Sequence, residues 1–174
     1  MGTYIALLRG INVVGANQLA MKDLVSLCCD CGFRNASTWI NSGNAIFESK
    51  LGEAAIQKKL ETALAAKMTK PVAVMIRTPA QLQAALKANP FPGKDGSKVL
   101  IAFLAVKVPA DALKNLATPG GEQVRTGERV IYVYYPDGMG QSRLRLNIKG
   151  ASMTMRNVNT VAKLVALSEA RSPA

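Results

Sequence analysis

Residues 36–48 read ASTWINSGNAIFE and predict a β-hairpin. The segments Ala36–Ile40 and Ala45–Glu48 are rich in β-branched, aromatic and apolar residues, which favours strands. Between them, Asn41-Ser42-Gly43-Asn44 has the composition of a tight turn. An antiparallel pair of strands is therefore the first part of the fold that the sequence specifies.

Helices and strands are predicted on both sides of this hairpin. Apolar residues recur at helical spacing before and after it, and Gly32 ends the first helix as a C-terminal cap. The flanking elements are a strand at Thr3–Leu8, a helix through residues 21–31, a helix through residues 56–68 and a strand at Val72–Ile76. The order β-α-β-β-α-β is that of the ferredoxin-like unit.

The second half predicts the same order again. The sequence Thr78-Pro79-Ala80-Gln81 combines an N-cap, a proline at the first helical position and a capping-box partner, so a linking helix begins there and ends near Ala88. The elements predicted after it are a strand at Val99–Val106, a short helix at Ala110–Leu116, a hairpin of Gln123–Thr126 with Val130–Tyr135, and a closing helix at Val158–Leu167. This is β-α-β-β-α, without a residue-level repeat.

We therefore expect an α+β fold of two ferredoxin-like halves packed together and linked by a helix. The predicted subdomains are 1–77 and 97–174, joined by residues 78–96, with one compact domain as the alternative. One segment leaves two interpretations open. Leu144, Leu146 and Ile148 alternate with polar residues, which favours an extended segment, whereas Ser142 could cap a short helix instead.

Composition excludes several kinds of chemistry. The 174 residues contain no histidine, which rules out a Ser-His-Asp triad and a histidine-ligated metal. The three cysteines, Cys28, Cys29 and Cys31, are too few for a four-thiolate zinc site, and their odd number argues against a secreted disulfide framework. Cys28 and Cys31 are interpreted as core residues of the first helix, and Cys29 as exposed.

Targeting and membrane signals are weak in this sequence. The first residues lack the pattern of a signal peptide, and the longest apolar run, Val99–Val106, is too short to cross a bilayer. We expect a cytoplasmic protein with no membrane association, no metal and no cofactor. The sequence does not determine the oligomeric state or a protein partner.

The strongest functional signal is positive charge. Lysine and arginine number 22 against 11 acidic residues, and the net charge is +11. Between Asp137 and Glu169 there is no acidic residue but five basic ones, which are Arg143, Arg145, Lys149, Arg156 and Lys163. Such a region attracts phosphates and nucleic acids, although an ordinary solvated surface is the alternative.

Two groups of polar side chains could bind an anion. Arg156, Asn159, Thr160 and Lys163 fall three and four residues apart and predict one row of donors on the closing helix, beside Asn157. The second group lies in the loop Gly10–Gln18 and the hairpin turn, and consists of Arg9, Asn12, Asn17, Ser42 and Asn44. In a ferredoxin-like sheet we expect that loop and that turn at opposite ends of their strands, which counts against one shared pocket.

Two other motifs resemble known ligand-binding patterns only in part. Gly10 and Gly15 have the spacing of a phosphate-binding loop, but Ala16-Asn17 stands where a Walker motif needs lysine and then serine or threonine. Tyr132 and Tyr134 share one face of a strand and could stack on bases, as aromatic residues do in RNA-binding sheets. We favour the alternative that they lie at the solvent-exposed edge of an amphipathic strand.

Four separated motifs carry a resemblance to a known family. They are Ala6-Leu7-Leu8-Arg9-Gly10-Ile11-Asn12-Val13, then Met21-Lys22-Asp23-Leu24, then Ser42-Gly43-Asn44 with Phe47, and finally Thr154-Met155-Arg156-Asn157-Val158-Asn159-Thr160-Val161 with Lys163-Leu164. Together they resemble the bacterial family called domain of unknown function 1697 (DUF1697), from the first strand to the last helix. The resemblance implies an α+β fold and no established activity.

From the residues we predict a protein that binds a phosphate-bearing ligand, a nucleotide or a nucleic acid, through its basic C-terminal region. The residues predicted to contact it are Arg9, Asn12, Asn17, Ser42, Asn44, Arg156, Asn157, Thr160 and Lys163. The main alternative is a small-molecule enzyme that acts on an anionic metabolite at the junction of the two halves. A protein-interaction module is a third. The sequence does not determine whether the protein is an enzyme.

Overall fold

Alternating runs of apolar and polar residues build two four-stranded antiparallel sheets, and four α-helices accompany them among the described residues. The computed structural model describes residues 1–13 and 17–171. The chain forms two compact units: unit 1 is residues 1–82 together with the chain from Leu164 onward, and unit 2 is residues 83–163. The fold is therefore α+β, as predicted. The subdomain bounds expected from the sequence stay a prediction.

Unit 1 is built on the predicted hairpin. Its elements are β1 (Gly2–Leu8), α1 (Met21–Asp30), β2 (Arg34–Thr38), β3 (Asn44–Ser49), α2 (Glu53–Lys67) and β4 (Val74–Arg77). The strands lie in the order β2-β3-β1-β4, and each neighbouring pair is antiparallel. Leu24 of α1 and Leu60 of α2 are completely buried in one core with Phe47 of β3. The helical spacing of the apolar residues thus produces the faces that cover this sheet.

Unit 2 has a sheet with the corresponding order β6-β7-β5-β8. Its strands are β5 (Val99–Leu104), β6 (Gln123–Thr126), β7 (Val130–Tyr134) and β8 (Met153–Asn157). Helix α3 (Pro79–Lys87) begins in unit 1 and ends in unit 2, and α4 (Val158–Glu169) begins in unit 2 and ends in unit 1. The predicted capping box at α3 is confirmed, since Gln81 N donates to Thr78 Oγ1 at 3.2 Å and Thr78 N donates to Gln81 Oε1 at 2.8 Å.

The predicted short helix at Ala110–Leu116 is wrong. Separate turns occupy this segment, in which Ala112 N donates to Pro109 O at 3.0 Å and Leu116 N to Leu113 O at 3.1 Å. These bonds join residues three apart and do not continue as a helical ladder. Asn115 adopts the left-handed conformation with φ +66, which interrupts a right-handed helix.

Strand β8 was not predicted from the sequence. Its residues Met153–Asn157 alternate between half-buried and buried positions, and the two buried ones are Thr154 and Arg156. Because polar residues occupy the buried positions, the hydrophobic pattern that reveals most strands is missing. Ile101 of β5 pairs with Arg156, so the neighbouring strand supplies what the local pattern lacks.

Residues 142–148 form an extended segment. The segment follows a 3-10 turn at Met139–Gln141 and is neither a helix nor a member of a sheet. Leu144, Leu146 and Ile148 pack on the core of unit 2, while the residues between them are exposed. This alternation is that of an extended chain, so the extended interpretation is confirmed.

The interpretation of the three cysteines is confirmed. Cys28 and Cys31 are buried, Cys29 is exposed, and all three are free thiols. Burial raises the pKa of Cys28 to about 12, so this thiol is a core residue and not a nucleophile. Gly32 follows with φ +78, the conformation expected for the C-terminal cap of α1. In the described part of the chain, no helix combines the length and the hydrophobicity needed to cross a membrane.

Candidate functional site

The loop after β1 and the β2–β3 turn lie at the same end of the sheet, so the expectation that they lie at opposite ends was wrong. Leu7 pairs with Asn44, and Leu8 N donates to Gly43 O at 2.9 Å. In an antiparallel pair the end of one strand lies beside the start of the other, and β3 starts where β1 ends. The predicted donors of unit 1 are therefore brought together.

Asn12 joins this loop to the turn. Its Nδ2 donates to Leu19 O at 2.9 Å and to Asn41 O at 2.8 Å, and its Oδ1 accepts a bond from Leu19 N at 2.8 Å. Both donor hydrogens of the amide are therefore used within the protein. Asn12 positions the loop, and its side chain has no donor to offer an anion.

Asn44 and Ser42 hold the turn in the same way. The fully buried Asn44 donates through Nδ2 to Trp39 O at 3.0 Å and to Ser42 Oγ at 3.0 Å. Asn17 lies across the loop, where its carbonyl accepts a bond from Asn12 N at 3.0 Å. The Oδ1 of Asn17 is buried and has no hydrogen-bond partner among the described residues, and an acceptor oxygen does not attract an anion. Within the described part of this group, Arg9 is the exposed cation.

The prediction that Arg156 belongs to a row of donors on the closing helix is wrong. This residue lies in β8, before α4 begins, and is 7 % exposed. Its Nη1 donates to Thr154 Oγ1 and to Met155 O, both at 2.8 Å. Burial lowers the pKa of the guanidinium to about 10. The arginine thus supports the edge of its sheet.

Arg77 in unit 1 occupies a similar position, which sequence reasoning did not single out. It ends β4, is 3 % exposed, and donates through Nη1 to Ile76 O at 2.7 Å. Its guanidinium also lies 3.8 Å from Glu53 Oε1. The residue that follows each of these arginines caps a helix, Thr78 for α3 and Asn157 for α4. An arginine directly before an N-cap is the sequence signal that could have revealed β8, since the predicted strand β4 ends in the same way.

The remaining predicted residues lie at the start of α4. Asn157 Oδ1 accepts a hydrogen bond from Thr160 N at 2.8 Å, which is the geometry of an N-cap. Thr160 is half-buried and Lys163 is exposed. The exposed Asn159 lies against Gly96, so close that a Cβ added there would meet its Oδ1 at 2.2 Å. Of these residues, Lys163 is the exposed cation.

The expectation that both tyrosines lie at a solvent-exposed edge is wrong for Tyr132. Tyr132 is buried, not at a solvent-exposed edge, and its hydroxyl donates to Ala85 O at 2.8 Å. Tyr134 is half-buried, with Lys94 Nζ 4.9 Å from its ring centroid and Phe91 tilted against it. Neither ring presents the open face that base stacking requires.

Three exposed cations of unit 2 lie on its extended segment. Arg143, Arg145 and Lys149, with Asn147 between them, are exposed at every second position, and we call residues 143–149 the basic segment. Side chains at every second position of an extended chain leave it on the same side, about 6.6 Å apart. The alternation visible in the sequence indicated this arrangement, but the three cations were not among the predicted site residues.

A buried carboxylate anchors the start of the basic segment. Ser142 Oγ donates to Glu122 Oε1, and Gly120 N donates to Glu122 Oε2 at 2.8 Å. The hydrogen bond from Ser142 is the main cause that lowers the pKa of Glu122 below its ordinary range. The cavity beside these residues has a volume of about 20 Å³, which is room for a water molecule and not for a metabolite. The segment is thus an open surface on a fixed support.

A metal centre has no support in the described residues. Among them, no three or more cysteine, aspartate or glutamate side chains come together in a group that could hold a metal ion. The chemistry available at the sites above is that of guanidinium, ammonium and amide donors.

The fold and the sites define an α+β protein with two antiparallel sheets and a basic surface segment. The family model described as a protein of unknown function, DUF1697, matches residues 1–132, and the chain belongs to this family. The chain is also similar to a solved structure, described as the structure of conserved bacterial protein SP0830 from Streptococcus pneumoniae, with a TM-score of 0.74 and 22 % identity. The match covers 95 % of this chain and 98 % of that one, and shows a shared fold. No curated protein matches the sequence.

Proposed function

We propose that this protein binds single-stranded nucleic acid through the basic segment. The observation that carries the proposal is the alternation in residues 142–149, which anchors three apolar side chains and exposes Arg143, Arg145 and Lys149. Several cations along one side of an extended chain suit the repeated phosphates of a polynucleotide better than one isolated phosphate.

The absence of a nearby acidic competitor supports the proposal. The sequence carries no aspartate or glutamate between Asp137 and Glu169. Glu122, which lies at the start of the segment, is buried and accepts bonds from Ser142 and Gly120. The local charge is therefore strongly positive, and local positive charge accelerates and strengthens the association of phosphates.

The residues predicted from the sequence take two different parts in this proposal. Arg9 and Lys163 are exposed cations and are proposed as further contacts to phosphates, each within its own unit. Asn12, Asn44 and Asn157 use their side chains in hydrogen bonds within the protein and act by positioning. We also propose a cytoplasmic location, which the three free thiols support.

Fluorescence anisotropy with a labelled oligonucleotide of about 12 nucleotides tests the proposal. In the triple variant Arg143→Gln, Arg145→Gln, Lys149→Gln we expect weaker binding at low salt. Each lost phosphate contact should reduce the slope of log affinity against log salt by about 0.7, so the slope should fall by about 2. The control variant Lys22→Gln, Lys70→Gln, Lys87→Gln removes the same charge from exposed positions elsewhere.

Equal loss of binding in the two triple variants would contradict the proposal, because net charge alone would then explain the affinity. The same titration tests the alternative of an enzyme for anionic metabolites. A nucleoside monophosphate that competes at a concentration independent of salt would favour that alternative, whereas competition that increases with oligonucleotide length supports ours.

We further propose that each of the two units is a ferredoxin-like half. The support is the corresponding strand order, β2-β3-β1-β4 in unit 1 and β6-β7-β5-β8 in unit 2. Unit 2 departs from that pattern, because turns stand between β5 and β6 and the extended basic segment precedes β8, where helices would be expected.

A further inference from the structure

Unit 1 contains a cationic cavity that the proposed function does not use. The cavity has a volume of about 340 Å³ and lies between the end of α1 and the start of α2. Three cationic side chains line it, those of Arg34, Lys50 and Lys59. Among the residues described, no aspartate or glutamate lines it. A cavity of this size and charge is suited to an anionic group.

The ion pairs of the described residues do not involve the cations of this cavity. Arg34 and Lys50 are exposed and form no ion pair within 4 Å in the described part of the chain. Glu48 is opposite Arg34 in the strand register, yet it does not line the cavity. Lys59 Nζ donates to Cys31 O at 2.9 Å, which fixes its ammonium at the cavity wall. Two exposed cations and one hydrogen-bonded cation therefore line the same space.

The acidic residues of α2 are engaged elsewhere. Glu53 lies 3.8 Å from the buried Arg77. Glu61 Oε1 accepts hydrogen bonds from Val74 N at 3.0 Å and from Gln57 Nε2 at 3.2 Å. The carboxylates of this helix are thus turned toward partners in the sheet and the helix, and the face with Lys58 and Lys59 stays positive.

An apolar groove continues the cavity along the exposed face of α2. The groove has a volume of about 510 Å³ and shares Leu51 and Lys59 with the cavity. Ala55 and Ala63 line it in the first and third turns of the helix, and Leu51, which lines both spaces, is 37 % exposed. A charged cavity that opens into an apolar groove is complementary to a molecule with an anionic head and an apolar tail.

We propose that the cavity and the groove together bind a small anionic amphiphile, with a carboxylate or phosphate monoester as its head. The head would lie against Arg34, Lys50 and Lys59, and the tail along Leu51, Ala55 and Ala63. Charge complementarity selects the sign of the head, and both volumes fall in the range of small-molecule sites, about 300 to 1,000 Å³. Arginine and lysine both bind carboxylate and phosphate heads, so the test must separate these two.

Isothermal titration calorimetry on the full chain tests this proposal with octanoate, octyl phosphate, octanol and octyltrimethylammonium below their micellar concentrations. We expect saturable binding of octanoate, octyl phosphate or both, and at least about tenfold weaker binding of the two other probes. The better of the two anions identifies the head group.

Two variants locate the site. Arg34→Glu with Lys50→Glu should weaken anion binding by at least about tenfold, whereas the control Lys67→Glu with Lys70→Glu should leave it within about twofold.

Leu51→Ser should weaken the binding of octyl phosphate more than the binding of inorganic phosphate. The control Val106→Ser removes a similarly exposed hydrophobic residue from unit 2. All these positions are exposed, and circular dichroism verifies that each variant folds.

Three results would overturn the proposal. The first is octanol binding as tightly as octanoate, and the second is unchanged anion binding in the charge variants. The third is saturation by an acidic peptide but by none of the probes, which would make the surface a protein-docking site. Each result is independent of oligonucleotide binding, because the basic segment belongs to unit 2 and the cavity to unit 1.

Discussion

Gly43 shows how one residue determines the geometry of the hairpin turn. It has φ +83, and a Cβ built on it would lie 2.6 Å from Ile11 Cδ1 and 3.0 Å from Leu8 Cβ. The turn therefore needs glycine for two reasons, a left-handed backbone and close packing on the loop after β1. Together with the side chain of Asn12, this contact holds the two loops of the candidate site together.

We predict that Gly43→Ala lowers the free energy of unfolding by about 2–4 kcal/mol, through backbone strain and overpacking combined. Gly10→Ala is the matched control. Gly10 has φ +66, and among the described residues beyond its chain neighbours no atom lies within 4 Å of an added Cβ, so backbone strain alone should cost about 1 kcal/mol. Urea denaturation measures both values, and equal losses would show that packing on Ile11 contributes nothing.

Glu122 is a hydrogen-bonded carboxylate whose lowered pKa should make the free energy of unfolding depend on pH in acid. The bond from Ser142 lowers its pKa in the folded protein below the ordinary value of 4.5. A lowered pKa means that the stabilisation is complete above the ordinary value and is lost as the pH falls through the folded value. The basic segment begins at this bond, so its start should loosen in acid.

We predict that the free energy of unfolding of the wild type falls below about pH 4.5 and that Glu122→Gln flattens this part of the dependence. Ser142→Ala should flatten it as well, because it removes the main cause of the shift. Urea denaturation from about pH 7 down to about pH 3 measures the effect, with the exposed Glu169→Gln as control. An unchanged acid dependence in Glu122→Gln would refute this prediction.

At the scale of elements, strand β8 and helix α4 are joined by a cap. Arg156 ends the buried part of the strand, and Asn157 both pairs with Leu100 and caps the helix through Thr160 N. Asn157 in the motif from Thr154 to Lys163 therefore has a structural role, whereas the sequence analysis assigned it to ligand binding.

We predict that Asn157→Ala lowers the free energy of unfolding by about 1 kcal/mol and leaves oligonucleotide affinity within about twofold. The exposed Asn159 lies two positions along the same helix and caps nothing among the described contacts, so Asn159→Ala should cost less than about 0.5 kcal/mol. Denaturation and anisotropy on the same samples separate the two roles. A large loss of affinity at unchanged stability would restore Asn157 as a ligand contact.

At the scale of the whole molecule, the last residues of the described chain complete unit 1. Arg171 donates through Nη1 to Asn35 O at 2.6 Å and to Ile46 O at 3.0 Å, and through Nη2 to Ser37 Oγ. These partners precede it by more than 120 residues, so the first sheet depends on the end of the chain. Contacts of such sequence separation close long loops of the chain, which costs conformational entropy and slows folding.

We predict that Arg171→Ala lowers the free energy of unfolding of unit 1 by about 1–2 kcal/mol. The fluorescence of Trp39, the single tryptophan of the sequence, reports on that unit because it follows β2 directly. Arg143→Ala removes an equal charge from an exposed position and should cost less than about 0.5 kcal/mol. If the two variants melt alike, the hydrogen bonds of Arg171 do not stabilise the sheet.

The sequence alone determined the features that depend on neighbours along the chain. The hairpin, the capping box at Thr78, the burial of Cys28 and Cys31, the extended basic segment and the family were all predictable. The structural features among these rest on a periodicity, a cap or a turn signal within a dozen residues, where local sterics and solvation act, whereas the family rests on four motifs spread along the chain.

Only the tertiary structure decided the features that depend on residues distant in the sequence. Strand β8 exists because Arg156 pairs beside Ile101, and the segment 110–116 becomes turns although its residues favour a helix. The structure also decided which donors remain available, since Asn12 bonds across to Asn41 while Arg143 and Arg145 stay exposed. For these side chains the hydrogen-bond partners and the exposure are set by residues far away in the chain, and no local pattern of residues encodes them.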